Sequence, residues 1–275
     1  MFHSTVAGLV RVNRFHLSPP ESPVTMKFSA VITSSVLGLA LAGFSLQSSA
    51  QSFSEGFDGA AVPTGWVTKN LSTRNSTGNP WGVGDGITDA DGNIVVGPYE
   101  GAGFALTNYT SIGSGSGTIS NWLISPTITG LNNGDTFSFF TTTTPDSEYP
   151  DRLEFRLSTA GVSTNVGTTT TSVGDFSITL ASINPTLGVG GYPEDWTLVT
   201  ATISGLAAPV DGRVALRYFV TSGGPTGANS NIIGVDSFSY TSVTAVPEPA
   251  TWALTLGGLV GLVGLQRRRN RRAQA

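Results

Sequence analysis

The side chains best equipped for chemistry in this sequence are carboxylates, and two arrangements of them have the makings of a cation site. Asp89, Asp91 and Asn93, within Asp85–Asn93, alternate oxygen ligands as part of a calcium loop does, because hard cations take clustered carboxylates and carbonyls. Counting twelve positions from Asp89 reaches Glu100, but Gly97-Pro98 breaks the frame. An Asp/Gly-rich turn explains the same residues with no metal. Glu55 and Asp236 form the second arrangement. Asp236 shares a strand face with Phe238 and Tyr240 if no bulge intervenes, and a carboxylate on a core face needs pairing, hydrogen bonds or a metal. Structural Ca2+ held by Glu55 and Asp236, with Asp89 and Asp91 as the other metal candidates, is the one cofactor suggested. A hydrogen-bonded Asp at a sheet end is the alternative reading.

Two carboxylates facing one sugar would make a glycosidase. Asp151 with Glu154 and Glu194 with Asp195 are the obvious pairs, but alternation points Glu154 outward and Glu194-Asp195 follows Tyr192-Pro193 in a turn. Solvated charge is the expected reading, and no catalytic residue is assigned. Among the tryptophans, Trp66, Trp81, Trp122 and Trp196 are candidates for a sugar-stacking platform. Trp122 and Trp196 read as core, and Trp81, beside Asn79-Pro80, as the best exposed candidate. The run Gly113–Gly117 lacks the Lys-Ser/Thr of a phosphate cradle. With no cysteine, disulfides, thiolate metal sites and cysteine nucleophiles are excluded together. The two histidines, His3 and His16, precede a segment with the features of an export signal. Cleavage there leaves no imidazole, which excludes serine–histidine catalysis and histidine-ligated zinc.

These residues need elements to hold them, and the elements read as strands. Arg152–Ser158 alternates, with Leu153, Phe155 and Leu157 on one face and charges on the other, the pattern of a half-buried strand. Arg213–Val220 repeats it with Val214, Leu216, Tyr218 and Val220 inward. Thr136–Phe139, Trp196–Ile203 and Ile232–Tyr240 are further candidates. Short strands separated by Gly, Pro, Asn, Asp and Ser predict an all-β antiparallel jelly-roll sandwich over residues 51–244. The charged fraction is 12%, about half the ~25% of soluble domains. From Gln51 to Val246 six basic residues stand against sixteen acidic ones, a balance of −10 that argues against nucleic acid as a partner.

Both ends of the chain are apolar. Met26-Lys27 begins a segment with an apolar centre at Val36–Phe44 and small residues at Ser48-Ser49-Ala50, a signal peptide over 26–50 cleaved by signal peptidase between Ala50 and Gln51. Residues 1–25 then read as an upstream extension, with a long basic n-region carrying Arg11 and Arg14 as the alternative. Residues 250–265 give about 24 Å of glycine-containing apolar helix, a little short for the ~30 Å hydrocarbon core. Arg267, Arg268, Arg269, Arg271 and Arg272 follow directly and hold that end in the cytoplasm, so a single helix in the inner membrane before processing is expected.

Before this helix, Val246, Pro247, Glu248 and Pro249 form a stiff extended segment. The Pro-Glu-Pro motif, the glycine-rich helix and the terminal arginines, in that order over residues 246–275, resemble the PEP-CTERM sorting signal of Gram-negative bacteria. The resemblance implies recognition by an exosortase, cleavage near the motif, and release or attachment at the cell surface within extracellular polysaccharide. Between the two ends, Asn121–Ile128, Phe57-Asp58 with Pro63–Trp66, and Ile233–Asp236 resemble the choice-of-anchor J domain, a group related to the cleaved-adhesin jelly rolls. That resemblance implies a binding or adhesive module and carries over no catalytic residue. The expected function is thus a non-enzymatic surface or matrix protein, structural, adhesive or carbohydrate-binding, whose partner is extracellular polysaccharide or another surface component. A polysaccharide-active enzyme using a carboxylate pair is the alternative.

Overall fold

A computed structural model describes residues 52–75, 78–89 and 91–243. The upstream extension, the signal peptide with Ala50 and Gln51, the Val246–Pro249 motif, the 250–265 helix and the arginines after it lie outside the described residues. No helix among those described is long and apolar enough to cross a membrane. The regular structure among these residues is almost entirely antiparallel strand, in fourteen segments.

One sheet is built from β3 (Gly82–Gly84), β6 (Phe104–Asn108), β9 (Thr136–Thr143), β12 (Thr197–Thr202) and β14 (Ile232–Thr241) in the order β12-β9-β14-β6-β3, with β1 (Phe53–Glu55) joined to β14. The other takes β2 (Val67–Asn70), β7 (Gly117–Ile124), β10 (Leu153–Ser158), β11 (Ile178–Ile183) and β13 (Val210–Gly223) in the order β11-β10-β13-β7-β2, with β8 (Ile128–Leu131) on β13. A separate hairpin pairs β4 (Ile87–Thr88) with β5 (Ile94–Val96). From β8 onward the chain changes sheet at nearly every connection, the winding of a jelly roll. The first strand lies beside the last, Phe53 opposite Tyr240 and Glu55 opposite Phe238.

Alternation places the core where the sequence puts it. Leu153, Phe155 and Leu157 of β10 and Val214, Leu216, Tyr218 and Val220 of β13 are buried against Phe137 and Phe139 of β9 and Phe238 and Tyr240 of β14. Phe155 meets Phe137, Phe139 and Phe238 edge-on across the layers, at 5.5, 5.3 and 6.2 Å between ring centres. Such pairs add to burial because ring edges and faces carry opposite partial charge.

The charged face of β10 departs from expectation. Glu154 does not point into solvent. It is buried, 2.7 Å from Arg156 Nε and 3.1 Å from Arg217 Nη1. The physical cause is a cover: residues 159–177 fold over the outer face of this sheet, bringing Val166 and Phe176 onto Trp122, Ile124 and Ala215. Arg217 is 1% exposed, held between the rings of Trp122 and Phe219 at 4.7 and 3.8 Å. It also donates to Thr170 O at 2.7 Å, and Arg156 donates to Phe176 O at 3.1 Å. Burial lowers the Arg217 pKa to about 10 against the attraction of Glu154, still far above neutrality, so the pair stays ionised. Burial alone would raise Glu154, but the two guanidiniums outweigh it and hold the carboxyl low.

Removing one member of a buried pair strands the other charge. Glu154→Ala is expected to lower unfolding free energy by about 3 kcal/mol, read by denaturant titration, and to speed proteolysis within residues 159–177. A loss under ~0.5 kcal/mol, the value of an exposed pair, contradicts this account.

Candidate functional site

The loops at one end of the sandwich enclose a cleft of about 460 Å3, lined by Tyr109, Tyr149, Gly224, Pro225, Thr226, Gly227, Ser230 and Asn231. Tyr109 opens the short 3₁₀ turn Tyr109–Ser111 after β6, Tyr149 stands in the β9–β10 connection, and the remaining residues form the β13–β14 connection. Each wall is tied down by backbone. Tyr109 N donates to Asn231 O at 2.8 Å, Ser230 N to Pro150 O at 3.0 Å and Thr226 N to Gly115 O at 3.2 Å. Gly224, at φ +106, donates to Ser230 Oγ at 2.9 Å. A Cβ there would lie 2.6 Å from Gly115 O, so the close approach of the two loops demands glycine.

Beneath the cleft lies Asp151, 1% exposed. One of its oxygens, Oδ1, accepts from Asn231 N at 2.8 Å and from the Tyr218 hydroxyl; Oδ2 lies 2.9 Å from Thr143 Oγ1. Its own carbonyl accepts from Asn184 Nδ2 at 2.9 Å. Burial pushes its pKa up to about 6, against the lowering effect of the Tyr218, Asn231 and Thr143 bonds. Hydroxyl arithmetic agrees: Thr143 Oγ1 is also 2.7 Å from Ile232 O, a group that only accepts, and one proton cannot serve both oxygens. Once protonated, below about pH 6, the carboxyl can donate to Thr143 and leave the Thr143 proton for Ile232 O.

The acid groupings expected from the sequence come out as follows. Asp151 is a buried junction below the cleft, and Glu154 is ion-paired on the opposite face of the sheet. Glu194 and Asp195 sit on a bend before Trp196, as expected of a turn. Asp89 closes the β4–β5 hairpin, accepting from Asp91 N at 3.0 Å and Asn93 N at 2.9 Å with Gly92 at φ +86. These bonds, largest first those to Asn93, hold its carboxyl below the usual range, and the geometry is that of the turn reading.

Asp236 is corrected. A bulge does intervene: pairing with β9 shifts between Asp236 and Ser239, and Ser237 adopts φ 48. The bulge turns the carboxylate away from the Phe238 and Tyr240 face. It accepts from Tyr99 N at 2.8 Å and Glu100 N at 3.1 Å, and from Ser237 N, and burial raises its pKa. Glu55 accepts from Phe57 N at 2.9 Å instead. Both carboxylates thus face N–H donors, and no group of three acidic or histidine side chains placed to hold a metal forms among the described residues.

The tryptophan expectation is also corrected. Trp81 is 2% exposed and donates to Asn121 O at 3.2 Å, because pairing of β3 with β6 carries it inward. Trp122 is buried as expected; Trp196 is only half-buried, its ring against Phe104 and its Nε1 donating to Gly97 O at 3.0 Å. The exposed rings are tyrosines that composition did not single out. Their signal was local: lone aromatics among turn formers, in Asn108-Tyr109-Thr110 and Glu148-Tyr149-Pro150.

Comparison with known proteins adds two findings. Residues 245–272 match the PEP-CTERM protein-sorting motif, which marks the chain as an exported surface protein. Solved structures similar to it include two cleaved adhesin domains of Lys-gingipain from Porphyromonas gingivalis. They are 19% and 18% identical, cover 70% and 71% of this chain and 99% and 100% of their own, and give TM-scores of 0.46 and 0.47. A xylan-binding domain from Paenibacillus barcinonensis is 14% identical, covers 72% of this chain and 98% of its own, and gives a TM-score of 0.36. No curated protein matches the sequence.

Asp151 makes stability depend on pH. Its folded pKa, about 6, lies above the 3.8 of an exposed aspartate, so between about pH 4 and 6 the folded state binds the extra proton. This contribution is full below pH 4 and lost as pH rises through 6. Asp151→Asn supplies the N–H that Thr143 needs, and is expected to match or exceed the parent in melting temperature at pH 7 and to flatten the slope from pH 4 to 6. Asp151→Ala, which strands the Tyr218 hydroxyl, is expected to cost about 1–3 kcal/mol. An unchanged slope in Asp151→Asn refutes the assignment.

Proposed function

We propose that the chain is a polysaccharide-binding protein of the cell surface, handed over at its C-terminus by an exosortase and serving a structural or adhesive role in the extracellular matrix. The observation that carries this reading is the sorting motif at residues 245–272 placed directly behind a β-sandwich. A sandwich of this composition suits display outside the cell. It has no thiol to oxidise, and its buried Glu154 is ion-paired with Arg156 and Arg217. Of the acids in the glycosidase alternative, Asp151 is spent on hydrogen bonds and Glu154 on ion pairs, while Glu194 and Asp195 stand on a bend, which favours binding over hydrolysis. In this scheme signal peptidase acts at Ala50-Gln51, the inner membrane holds the 250–265 helix transiently, and the exosortase cuts near Val246-Pro247-Glu248-Pro249.

Fractionation of the producing cells tests the scheme. The processed protein is expected at the surface or in the matrix, its mass short of the segment after the Pro-Glu-Pro motif. Pro247→Ala combined with Pro249→Ala is expected to leave the full-length chain in the inner membrane. Recovery of the unprocessed chain from the cytosol refutes the reading. Incubation with the producer's own exopolysaccharide is expected to give retention with no new reducing ends, whereas release of reducing ends restores the enzyme alternative.

A further inference from the structure

The cleft at the β6, β9–β10 and β13–β14 loops has a chemistry that singles out a ligand class. Tyr109 and Tyr149 are 40% and 50% exposed, and neither ring is stacked on another aromatic among the described residues. The other tyrosines differ. Tyr192, Tyr218 and Tyr240 are buried with their hydroxyls spent on Thr141, Asp151 and Asp135, and Tyr99 has its ring covered by Phe140. The phenol oxygens of Tyr109 and Tyr149, Thr226 Oγ1 and Asn231 Oδ1 make no hydrogen bond among the described residues, and all four belong to the lining of one cleft. Tyr109, Tyr149 and Thr226 are exposed and Asn231 is half-buried, so these four groups stand open on one concavity to a polar ligand.

The lining carries no formal charge. A uronate or sulfated sugar would need a guanidinium or ammonium here, and the acidic balance of the surrounding body opposes it. A neutral sugar needs what is present: aromatic faces for its C–H surface, and amide and hydroxyl groups for its hydroxyls. The volume falls within the ~300–1,000 Å3 of small-ligand clefts. The floor is preorganised, since Asn231 donates through Nδ2 to Thr144 Oγ1 at 2.7 Å and Ser147 Oγ at 3.0 Å, which fixes its side chain before any ligand arrives.

We infer that this cleft is a binding site for neutral sugar units of a polysaccharide, with Tyr109 and Tyr149 as the stacking residues and Asn231 and Thr226 as the hydroxyl-recognising ones. The inference rests on the proposed polysaccharide-binding role and assigns it a place and a ligand chemistry. Affinity electrophoresis of the exported protein through gels containing dextran, galactomannan or alginate tests it, with Tyr109→Ala, Tyr149→Ala and the distant Tyr99→Ala alongside. Retardation is expected in at least one of the two neutral gels and none in alginate. Tyr109→Ala and Tyr149→Ala are each expected to weaken it about tenfold, with melting temperature unchanged, and Tyr99→Ala to leave it intact. Retardation that both cleft variants retain overturns the site while leaving a polysaccharide-binding role elsewhere on the domain. Retardation in alginate alone, or in no gel, overturns the ligand class, and the fractionation above judges surface sorting independently of either result.

Discussion

Asp151 lies where β9, β13 and three loops converge, and its carboxyl is the group on which that end of the sandwich depends. Thr143, Tyr218 and Asn231 reach it from separate parts of the chain, and Asn184 binds its carbonyl. Buried polar groups left unpaired are costly, so the arrangement is stable only when every member is in place. That requirement fixes the β13–β14 connection against the β9–β10 connection, and with them the walls of the cleft. A hydrophobic contact in the same position would hold the layers together but would not specify where Asn231 sits.

A second economy of polar groups governs the outer faces. On one sheet, Arg217 and Glu154 turn what would be a solvated surface into an attachment for residues 159–177. On the other, Asp236 and Asp58 hold the segment around Tyr99–Gly103 by its backbone N–H groups. Gly101 is required there, since a Cβ at its φ of +74 would lie 2.0 Å from Asp58 Oδ1. Part of each outer face is therefore covered, and Glu154, Arg217, Asp58 and Asp236 act as fasteners for the covering segments.

How far the sequence discloses this follows from what each feature leaves in the pattern of residues. The inward faces of β10 and β13 are legible because strand periodicity is two and their apolar residues obey it. The pairing of β1 with β14 joins the two ends of the domain and is not encoded in any local stretch. The cover over Glu154 is not legible, because residues 159–177 are rich in Ser, Thr and Gly and look like an ordinary surface loop, with Val166 and Phe176 too isolated to announce a second core. The bulge at Ser237 is equally silent: a left-handed serine carries no marker of the kind that glycine supplies. Burial of Trp81 follows from the pairing of β3 with β6, a long-range register that no local stretch encodes. The cleft tyrosines sit outside any strand, where alternation has nothing to say about them.

The direction of β14 has a consequence of its own. Its first residue, Ile232, adjoins the cleft, and its last, Thr241, leads toward the C-terminal tail, ten residues or roughly 30 Å further along. A domain tethered through that tail presents the loops bearing Tyr109 and Tyr149 at its distal pole. Tension along the tether loads β14 lengthwise between β1 and β6 on one flank and β9 on the other, so the ladder resists in shear and not by unzipping.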